Sequence, residues 1–597
     1  MARPRSTIEP FPVVVLCSGL GLLVCSVADA LSRATLAPTP LLYWLGVLTV
    51  ALPIFYRLTS EQASAGERLA LVCLLGLSLY AVKVMRDAPV FTFSDELIHA
   101  FNANQIGDHH HLFRANPILE VTPKYPGLEG ATSALMKLTG LSSYGAGVIF
   151  VGAARLVLIA SLFLLFARVS GSARIAGLGA AIYTGNFNFL YWGAQFSYES
   201  LSLPLLLLLM MALAERESAP RAAWRAWAVP AVLATLAIVV THHLTSYALS
   251  GMLVGLSLAF WYVHRNWRPP NPWPFAVLAV ALAVAWLIVV ASSTVGYLTP
   301  VLSNAFSAIG NTIVGEDAPR GLFQGEGTTV AETPLIARGV AFFAVALLTV
   351  GLPFGLRELW RHHRRKPFAL LFGIAGIGFF GTLALRLTPP AWETGNRASE
   401  FLFIGLAFLL ACACLEALRR WRGQRPVRPL LAAGLGVVLV GGAISGWPWD
   451  SQMAQPLRIA ADGRTISSPP LGLAEWAADE VPRGRFAASV ADAGLLLTPG
   501  GHVAIAGSSP DIEDIIDAES LGGWELPLLR RNKLRYVVAD RRAARADSLR
   551  GYYFASEGSA AAELAPKSVV TKFGRIPGAA RVYTNGPITV FDLRGRR

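Results

Sequence analysis

Charged residues are scarce in this chain. Asp, Glu, Lys and Arg together make up only 15% of its 597 residues, whereas hydrophobic residues make up 54%. A soluble protein of this length carries roughly a quarter of its residues as charged side chains. The scarcity of charge therefore excludes an ordinary soluble enzyme. The apolar runs are about 20 residues long, the length that crosses a bilayer, so the sequence predicts an integral membrane protein.

Cysteine is also rare, and its positions exclude two further classes. The chain has five cysteines, all within apolar segments. Cys412 and Cys414 are two residues apart and would point to different faces of one helix. Neither a disulfide framework nor the ligand spacing of a structural zinc site is present.

Long apolar segments fill residues 1–447. Hydropathy predicts about thirteen transmembrane helices there, at approximately 11–30, 41–57, 68–86, 144–166, 175–195, 199–214, 227–243, 245–263, 274–296, 338–356, 367–386, 400–418 and 429–447. The first segment resembles a signal peptide, but 28–30 is a poor cleavage site and further spans follow at once, so we interpret it as a retained helix. One long polar loop, residues 87–143, separates the third predicted span from the fourth.

The net charge of +13 is distributed unevenly. Loops 357–366 and 419–428 are rich in Arg, whereas the turns near Ser197 and Thr241 contain no Lys or Arg. The positive-inside rule accounts for this alternation, so nucleic-acid binding is not indicated. It predicts a cytoplasmic N-terminus and places loops 87–143, 297–337 and 387–399 outside the cytoplasm. The excess of Arg over Lys is typical of a GC-rich bacterial genome, so we expect a bacterial cytoplasmic (inner) membrane protein.

Residues 448–597 differ in composition from the rest. Apolar runs shorten, and Asp, Glu, Pro and Gly become more frequent, which predicts a soluble extracytoplasmic α/β domain. The predicted strands and helices of this domain are the strands 486–490, 502–506, 534–540 and 587–593 and the helices 473–480 and 512–520.

The sequence FSDELIHA, within loop 87–143, places Asp95, Glu96 and His99 together. Ser94 is a candidate N-cap, and carboxylates in a first helical turn complement the helix dipole. On a helix, both carboxylates share a face with His99. Two interpretations remain open at this point: a capped interfacial helix, or a site that acts as a general base or binds a divalent cation such as Mg²⁺ or Mn²⁺.

Other polar side chains are predicted at the same side of the membrane. Arg397 has the planar fork that suits a phosphate, unless it only forms a salt bridge with Glu393 or Glu400. Such polar groups above an apolar bundle favour a substrate with a lipid tail and a phosphate. The remaining candidates are His242, His243, Lys124 and Tyr125 for the lipid phosphate or donor, and Tyr198, Glu199, Glu393 and Asn396 for a sugar or acceptor.

These features resemble the GT-C superfamily of integral-membrane glycosyltransferases. The resemblance lies in Asp95 and Glu96 within loop 87–143 and in the segment ETGNRASEF around Arg397. The acidic pair here follows the third span, whereas in the family it usually follows the first. The resemblance implies a polyprenyl-phosphate sugar donor, membrane-lipid partners, a cell-envelope glycan, lipid or protein as acceptor, and inverting transfer of a hexose or pentose with Asp95 as base.

Three alternatives share part of this pattern. A lipid-linked glycan polymerase or ligase would use a diphosphate donor. A transporter or flippase would place ionisable groups at mid-bilayer and repeat its broken helices. An assembly protein would use the C-terminal domain only for docking.

Overall fold

The computed structural model describes most of the chain. The residues it describes are 10–34, 39–86, 90–268, 270–296, 299, 333–388, 391–421, 424, 426–446, 466, 468–482, 484–488, 490–505, 527, 531, 533–544, 571–576 and 578–593. Most of the predicted loop 297–337, and the predicted helix 512–520, lie outside these residues.

The part of the chain predicted as the membrane domain is helical. Its helices are α1 Pro10–Ala34, α2 Pro40–Leu58, α3 Ala65–Arg86, α4 Ser94–His109, α5 Gly127–Thr139, α6 Ser143–Ser170, α7 Ala173–Tyr183, α8 Glu199–Ser218, α9 Trp224–Thr241, α10 His243–His264, α11 Trp273–Val289, α12 Leu335–His362, α13 Pro367–Leu385, α14 Trp392–Arg420 and α15 Val427–Gly446.

Each predicted span coincides with one of the helices α1–α3 and α6–α15. Ten of the helices that the structure describes are long and apolar enough to cross a membrane, and α7 and α11 are shorter apolar helices. The expected span 175–195 was wrong in length, because α7 ends at Tyr183 and turns follow. Gly185 and Asn186 lie in those turns, and both residue types favour turns over helix. The chain is a multi-pass membrane protein.

Small residues allow the closest helix packing in the bundle. A Cβ atom at Gly405 of α14 would lie 2.3 Å from the carbonyl oxygen of Phe372 in α13, so no larger residue fits there. Helices in membranes associate through such close backbone approach, because lipid tails are as apolar as the helices and provide no hydrophobic driving force. The large buried side chains of α6, α13 and α14 complete one continuous apolar core.

The long loop 87–143 forms α4 and α5, which pack against each other. Ser94 is the first helical residue and Phe93 is the N-cap, so the expectation of Ser94 as N-cap was one residue out. Phe93 has no side-chain acceptor, and the carboxylate of Glu96 instead accepts the backbone N–H of Phe93 at 3.3 Å. The first turn of α4 is therefore capped by Glu96.

The C-terminal domain contains a mixed five-stranded sheet in the order β2-β1-β3-β5-β4. The first three strands in that order are parallel, and the last two pairings are antiparallel. The four predicted strands are confirmed, whereas β4 and the second helix were not predicted. The elements are α16 Ser468–Glu480, β1 Arg485–Ala487, α17 Val490–Gly500, β2 Val503–Ile505, β3 Tyr536–Asp540, β4 Ala580–Thr584 and β5 Ile588–Asp592.

This domain is docked on the loop 87–143. Leu495 of α17 packs with Leu97 and Ala100 of α4 in one apolar cluster. Asn104 donates a hydrogen bond to the carbonyl of Thr498 at 3.0 Å, and the Thr498 hydroxyl donates to the carbonyl of Leu97 at 3.2 Å. The contacts are both apolar and polar, so α4 connects the domain to the helix bundle.

Candidate active site

A cavity of about 840 Å³ opens at the end of the bundle that carries α4. It has a polar end and an apolar limb that runs between α10, α13 and α14. The polar end is lined by Asp95, His99, Thr122, Trp192, Ser197, Tyr198, Glu199, His242, His243, Trp392, Glu393, Asn396 and Arg397. The limb is lined by residues that include Leu244, Ala248, Gly251, Met252, Gly255, Leu371, Ile374, Gly378, Phe401, Leu402 and Gly405.

Arg397, in the first turns of α14, is the centre of the polar end. Its Nη1 lies 2.7 Å from the Glu199 carboxylate and its Nε lies 3.0 Å from Glu393. The guanidinium also lies 5.4 Å from the ring of Trp192, a cation–π distance. The predicted salt bridge to Glu393 is present, and Glu199 is a second partner. Both partners hold the planar guanidinium in place at the cavity wall.

Asp95 lies in the first turn of α4, half-buried at the cavity wall. Its carboxylate is close enough to interact electrostatically with Arg397. The structure thus brings Asp95 and Arg397, which are 302 residues apart in the chain (397 − 95), into one cavity.

Glu96 has a different environment from its neighbour. Its carboxylate is fully buried, forms a salt bridge with Lys83 and accepts the backbone N–H of Phe196 at 2.9 Å. It is absent from the cavity lining. A buried carboxylate is stable only when paired in this way. Glu96 therefore connects α3, α4 and the turn before α8.

His99 lines the cavity one turn after Asp95. Its Nδ1 lies 2.7 Å from the Glu129 carboxylate of α5, and its ring meets Tyr198 edge-on at 4.2 Å. Glu129 is fully buried, and neither its position nor its charge was singled out by the sequence patterns. Because Glu129 holds Nδ1, the other ring nitrogen of His99 is the one left for the cavity.

The predicted metal ligands do not converge. Glu96 is held by Lys83 and His99 by Glu129, so only Asp95 and one nitrogen of His99 remain for a ligand at the cavity. Among the residues that the structure describes, no group of three or more His, Cys, Asp or Glu side chains could hold a metal ion.

His242 and His243 lie at the junction of α9 and α10. His242 Nδ1 lies 2.8 Å from the Thr245 hydroxyl, and its Nε2 lies 3.8 Å from Glu199. Burial lowers the pKa of His242 well below its usual range, and the Arg397 guanidinium adds to the effect. His242 is therefore neutral near pH 7. His243 also lines the cavity, beside His242.

Lys124 and Tyr125, which were predicted to bind the donor, are not among the residues that line the cavity. Tyr125 is buried behind the wall, with its ring 5.2 Å from that of His243, and burial raises its pKa to about 12. The Lys124 carbonyl accepts a hydrogen bond from Trp286 Nε1 at 3.1 Å. Both residues support the wall from outside.

Tyr198, Glu199, Glu393 and Asn396, predicted to contact a sugar or acceptor, all line the polar end. Sequence patterns missed the aromatic side chains of Trp192 and Trp392 there. No local signal was available for them, because a tryptophan at a membrane boundary is an ordinary interfacial anchor.

No family model and no curated protein matches the sequence. Solved structures do match. The oligosaccharyltransferase of Archaeoglobus fulgidus, solved with zinc and sulfate, aligns with a TM-score of 0.50 at 12% identity over 80% of this chain and 68% of that one. The two proteins therefore share a fold.

Two weaker likenesses accompany it. ArnT of Cupriavidus metallidurans, in the apo state, aligns with a TM-score of 0.49 at 13% identity, over 88% of this chain and 97% of that one. The mycobacterial arabinofuranosyltransferase AftD aligns with a TM-score of 0.48 at 16% identity, over 88% of this chain but only 41% of that one.

Proposed function

We propose that the protein is a membrane glycosyltransferase that moves a sugar from a polyprenyl-phosphate donor to a cell-envelope acceptor. The observation that supports this most directly is the form of the main cavity. A single space joins an arginine and a carboxylate, Arg397 and Asp95, to an apolar limb between three helices. This is the shape and polarity of a ligand with a sugar, a phosphate and a long hydrocarbon tail.

Arg397 is proposed to bind the lipid phosphate. A guanidinium fork contacts phosphate oxygens in two directions at once, and its charge is permanent. Glu199 and Glu393 orient it through contacts at 2.7 and 3.0 Å. The neutral His242 adds a polar group beside Glu199 at 3.8 Å. The prenyl tail would lie along Leu244, Leu371 and Phe401 in the limb, where burial of apolar surface stabilises it.

Asp95 is proposed as the base. The acceptor hydroxyl gives its proton to the Asp95 carboxylate while its oxygen bonds to the anomeric carbon of the donor. The bond between that carbon and the phosphate oxygen breaks, and the electron pair leaves with the lipid phosphate. Attack from the face opposite the phosphate inverts the anomeric centre. Arg397 stabilises the negative charge that develops on the departing phosphate.

His99 is proposed to orient the acceptor, because Glu129 holds its ring at 2.7 Å and one nitrogen remains for the cavity. Asp95 and the remaining nitrogen of His99 would hold a divalent cation such as Mg²⁺ or Mn²⁺, which would supply positive charge to the site. Among the described residues these two groups have no third His, Cys, Asp or Glu ligand beside them.

The proposed setting is a bacterial cytoplasmic membrane, with the N-terminus in the cytoplasm. The cavity and the C-terminal domain, proposed as residues 448–597, then face outward. The basic loops 357–366 and 419–428 support this orientation. The membrane domain is proposed as residues 1–447.

The test is sugar transfer by purified protein in proteoliposomes with a defined polyprenyl phosphosugar. Asp95→Asn keeps the shape of the side chain but removes the base, so we expect transfer to fall by about 10²-fold or more. Asp108→Asn, at the exposed end of the same helix, is the matched control and should retain full activity. Normal turnover by Asp95→Asn would exclude Asp95 as the base.

The same assay compares donors. Transfer from a monophosphate-linked sugar, and not from the diphosphate-linked analogue, is the expected outcome. The reverse preference would favour the polymerase or ligase alternative.

A further inference from the structure

A second cavity lies between the membrane domain and the C-terminal domain. Its volume is about 660 Å³. One wall is formed by Phe101 and Gln105 of α4 and by the chain that follows this helix. The other wall is formed by the sheet of the C-terminal domain. We call this space the interdomain cleft; its lining residues are Phe101, Gln105, Arg114, Ala115, Pro117, Gly484, Arg485, Gly501, Val503, Lys533 and Arg535.

The interdomain cleft is strongly cationic. Four of its lining residues carry a permanent or near-permanent positive charge, and among the residues that the structure describes none that lines it is acidic. Arg114, Arg485 and Lys533 are exposed to solvent. Arg535 is half-buried and lies 3.6 Å from Asp592, outside the lining. Each of the four positive charges would attract an anion bound in the cleft.

Backbone structure fixes the spacing of these charges. Arg485 and Val503 are the first residues of β1 and β2, and Arg535 immediately precedes β3. The Arg535 backbone N–H donates to the Arg485 carbonyl at 3.0 Å, which holds the two arginines on neighbouring strands. The amino-terminal edge of the parallel strands therefore places Arg485 and Arg535 on neighbouring strands, with Lys533 two residues before Arg535.

The two walls of the cleft are also fixed relative to each other. The Asn104–Thr498 and Thr498–Leu97 hydrogen bonds join α17 to α4 beside the cleft. Leu495 packs on Leu97 in the same contact. These contacts fix the shape of the cleft at the interface. Phe101, which lines the cleft, lies about two turns after Asp95 along α4.

We propose that the interdomain cleft binds an anionic stretch of the acceptor glycan, one that carries carboxylate or phosphate groups on successive units. Several cations in one cleft suit a ligand whose charges repeat along a chain. The apolar faces of Phe101, Pro117 and Val503 would contact sugar rings between those charges. The cleft is concave between two protein walls, which fits a single chain better than the flat surface of an anionic membrane. That this glycan is the acceptor rests on the proposed function, whereas binding of a polyanionic glycan does not.

The experiment measures binding without any donor. Full-length protein in nanodiscs of neutral lipid is titrated with fluorescent oligogalacturonate and with neutral dextran of matched length, and the dissociation constants are read from anisotropy. We expect the polyuronate to bind at least tenfold more tightly than dextran, with affinity that falls as salt rises. The variant Arg485→Glu/Lys533→Glu should weaken polyuronate binding at least tenfold.

The matched control is Arg575→Glu/Arg581→Glu, which makes the same charge change at two exposed positions of the same domain. It should change affinity less than twofold. A milder pair, Arg485→Gln/Lys533→Gln, repeats the measurement if the glutamates disturb folding, which a melting curve reports.

Three results would overturn the proposal. The first is equal binding of polyuronate and dextran, and the second is unchanged polyuronate affinity in both cleft variants. The third is that the cleft variants lose binding only to phosphatidylglycerol vesicles, which would assign the cleft to lipid head groups. Because no donor is present, the outcome is independent of Asp95 and Arg397. Failure of sugar transfer in the wild type would remove the proposed function and leave a measured polyanion site intact.

Discussion

The polar end and the apolar limb of the main cavity differ in the interactions that form them. At the polar end, Arg397 contacts Glu199 and Glu393, and His99 contacts Glu129, all at 2.7 to 3.0 Å. In the limb, small residues leave open space: a Cβ at Gly251 would have no neighbour within 4 Å. The polar end is therefore preorganised by paired charges, whereas the limb offers only shape and apolar surface. The polar end should therefore set the rate of sugar transfer, and the apolar limb should set which donor tail lengths are accepted.

The largest expected loss of transfer comes from substitution of Arg397, at the polar end. Arg397→Gln removes the charge opposite the departing phosphate, so we expect transfer to fall by roughly 10²–10³-fold for donors of every tail length. Arg361→Gln, exposed near the far end of α12, is the control with the same change. Steady-state rates with short-chain and long-chain donors are the measurement. A loss seen only with long tails would contradict the role of Arg397 in binding phosphate.

A smaller and more selective effect is expected in the limb. Gly251→Phe places a ring in the open space, so transfer from a long-chain polyprenyl phosphosugar should fall by about tenfold, a cost of roughly 1.4 kcal/mol. A donor with a tail of two or three prenyl units should be unaffected. Gly339→Phe is the matched control, because a Cβ there also meets nothing within 4 Å and the residue is not in the lining. Equal losses with both donors would show that the limb does not hold the tail.

The smallest effect is expected at Tyr198, which supports the polar end. Its hydroxyl donates to the Thr122 carbonyl at 2.9 Å, and its ring stacks on His242 with centroids 5.4 Å apart. Tyr198→Phe removes the hydrogen bond and keeps the ring, so stability should fall by about 0.5–1.5 kcal/mol. Thermal unfolding in detergent is the measurement, with the exposed Tyr262→Phe as control. Because the ring remains, the transfer rate should change only a few-fold; a loss as large as that of Arg397→Gln would give Tyr198 a direct role.

Much of the fold could be predicted from local patterns. Hydropathy located the membrane helices, since crossing a bilayer requires length and apolarity that a single segment displays. Short runs of apolar residues located four strands of the sheet. The short β4, exposed along most of its length, has no such run. The turn after α7 was missed because its aromatic residues resemble a continued span.

The candidate site was less accessible to sequence reasoning. Asp95 and Arg397 were recognised by their polarity at the ends of apolar segments, and both line the cavity. Adjacent carboxylates, however, point in different directions on a helix. Asp95 reaches the cavity, whereas Glu96 turns to Lys83, a residue within the preceding span whose distance from α4 the sequence could not give. Glu129 was missed for the same reason, because its contact with His99 joins two helices.

The sequence by itself determined that the chain spans a membrane many times, that a long polar loop interrupts the spans and that a separate α/β domain follows. Those properties depend on composition and on short-range periodicity. Only the tertiary structure decided which member of the Asp95–Glu96 pair faces the cavity, that Glu199 forms a salt bridge with Arg397, and that Arg114 and Lys533 line the same cleft. These depend on contacts between segments far apart in the chain, and packing of whole helices and sheets sets them.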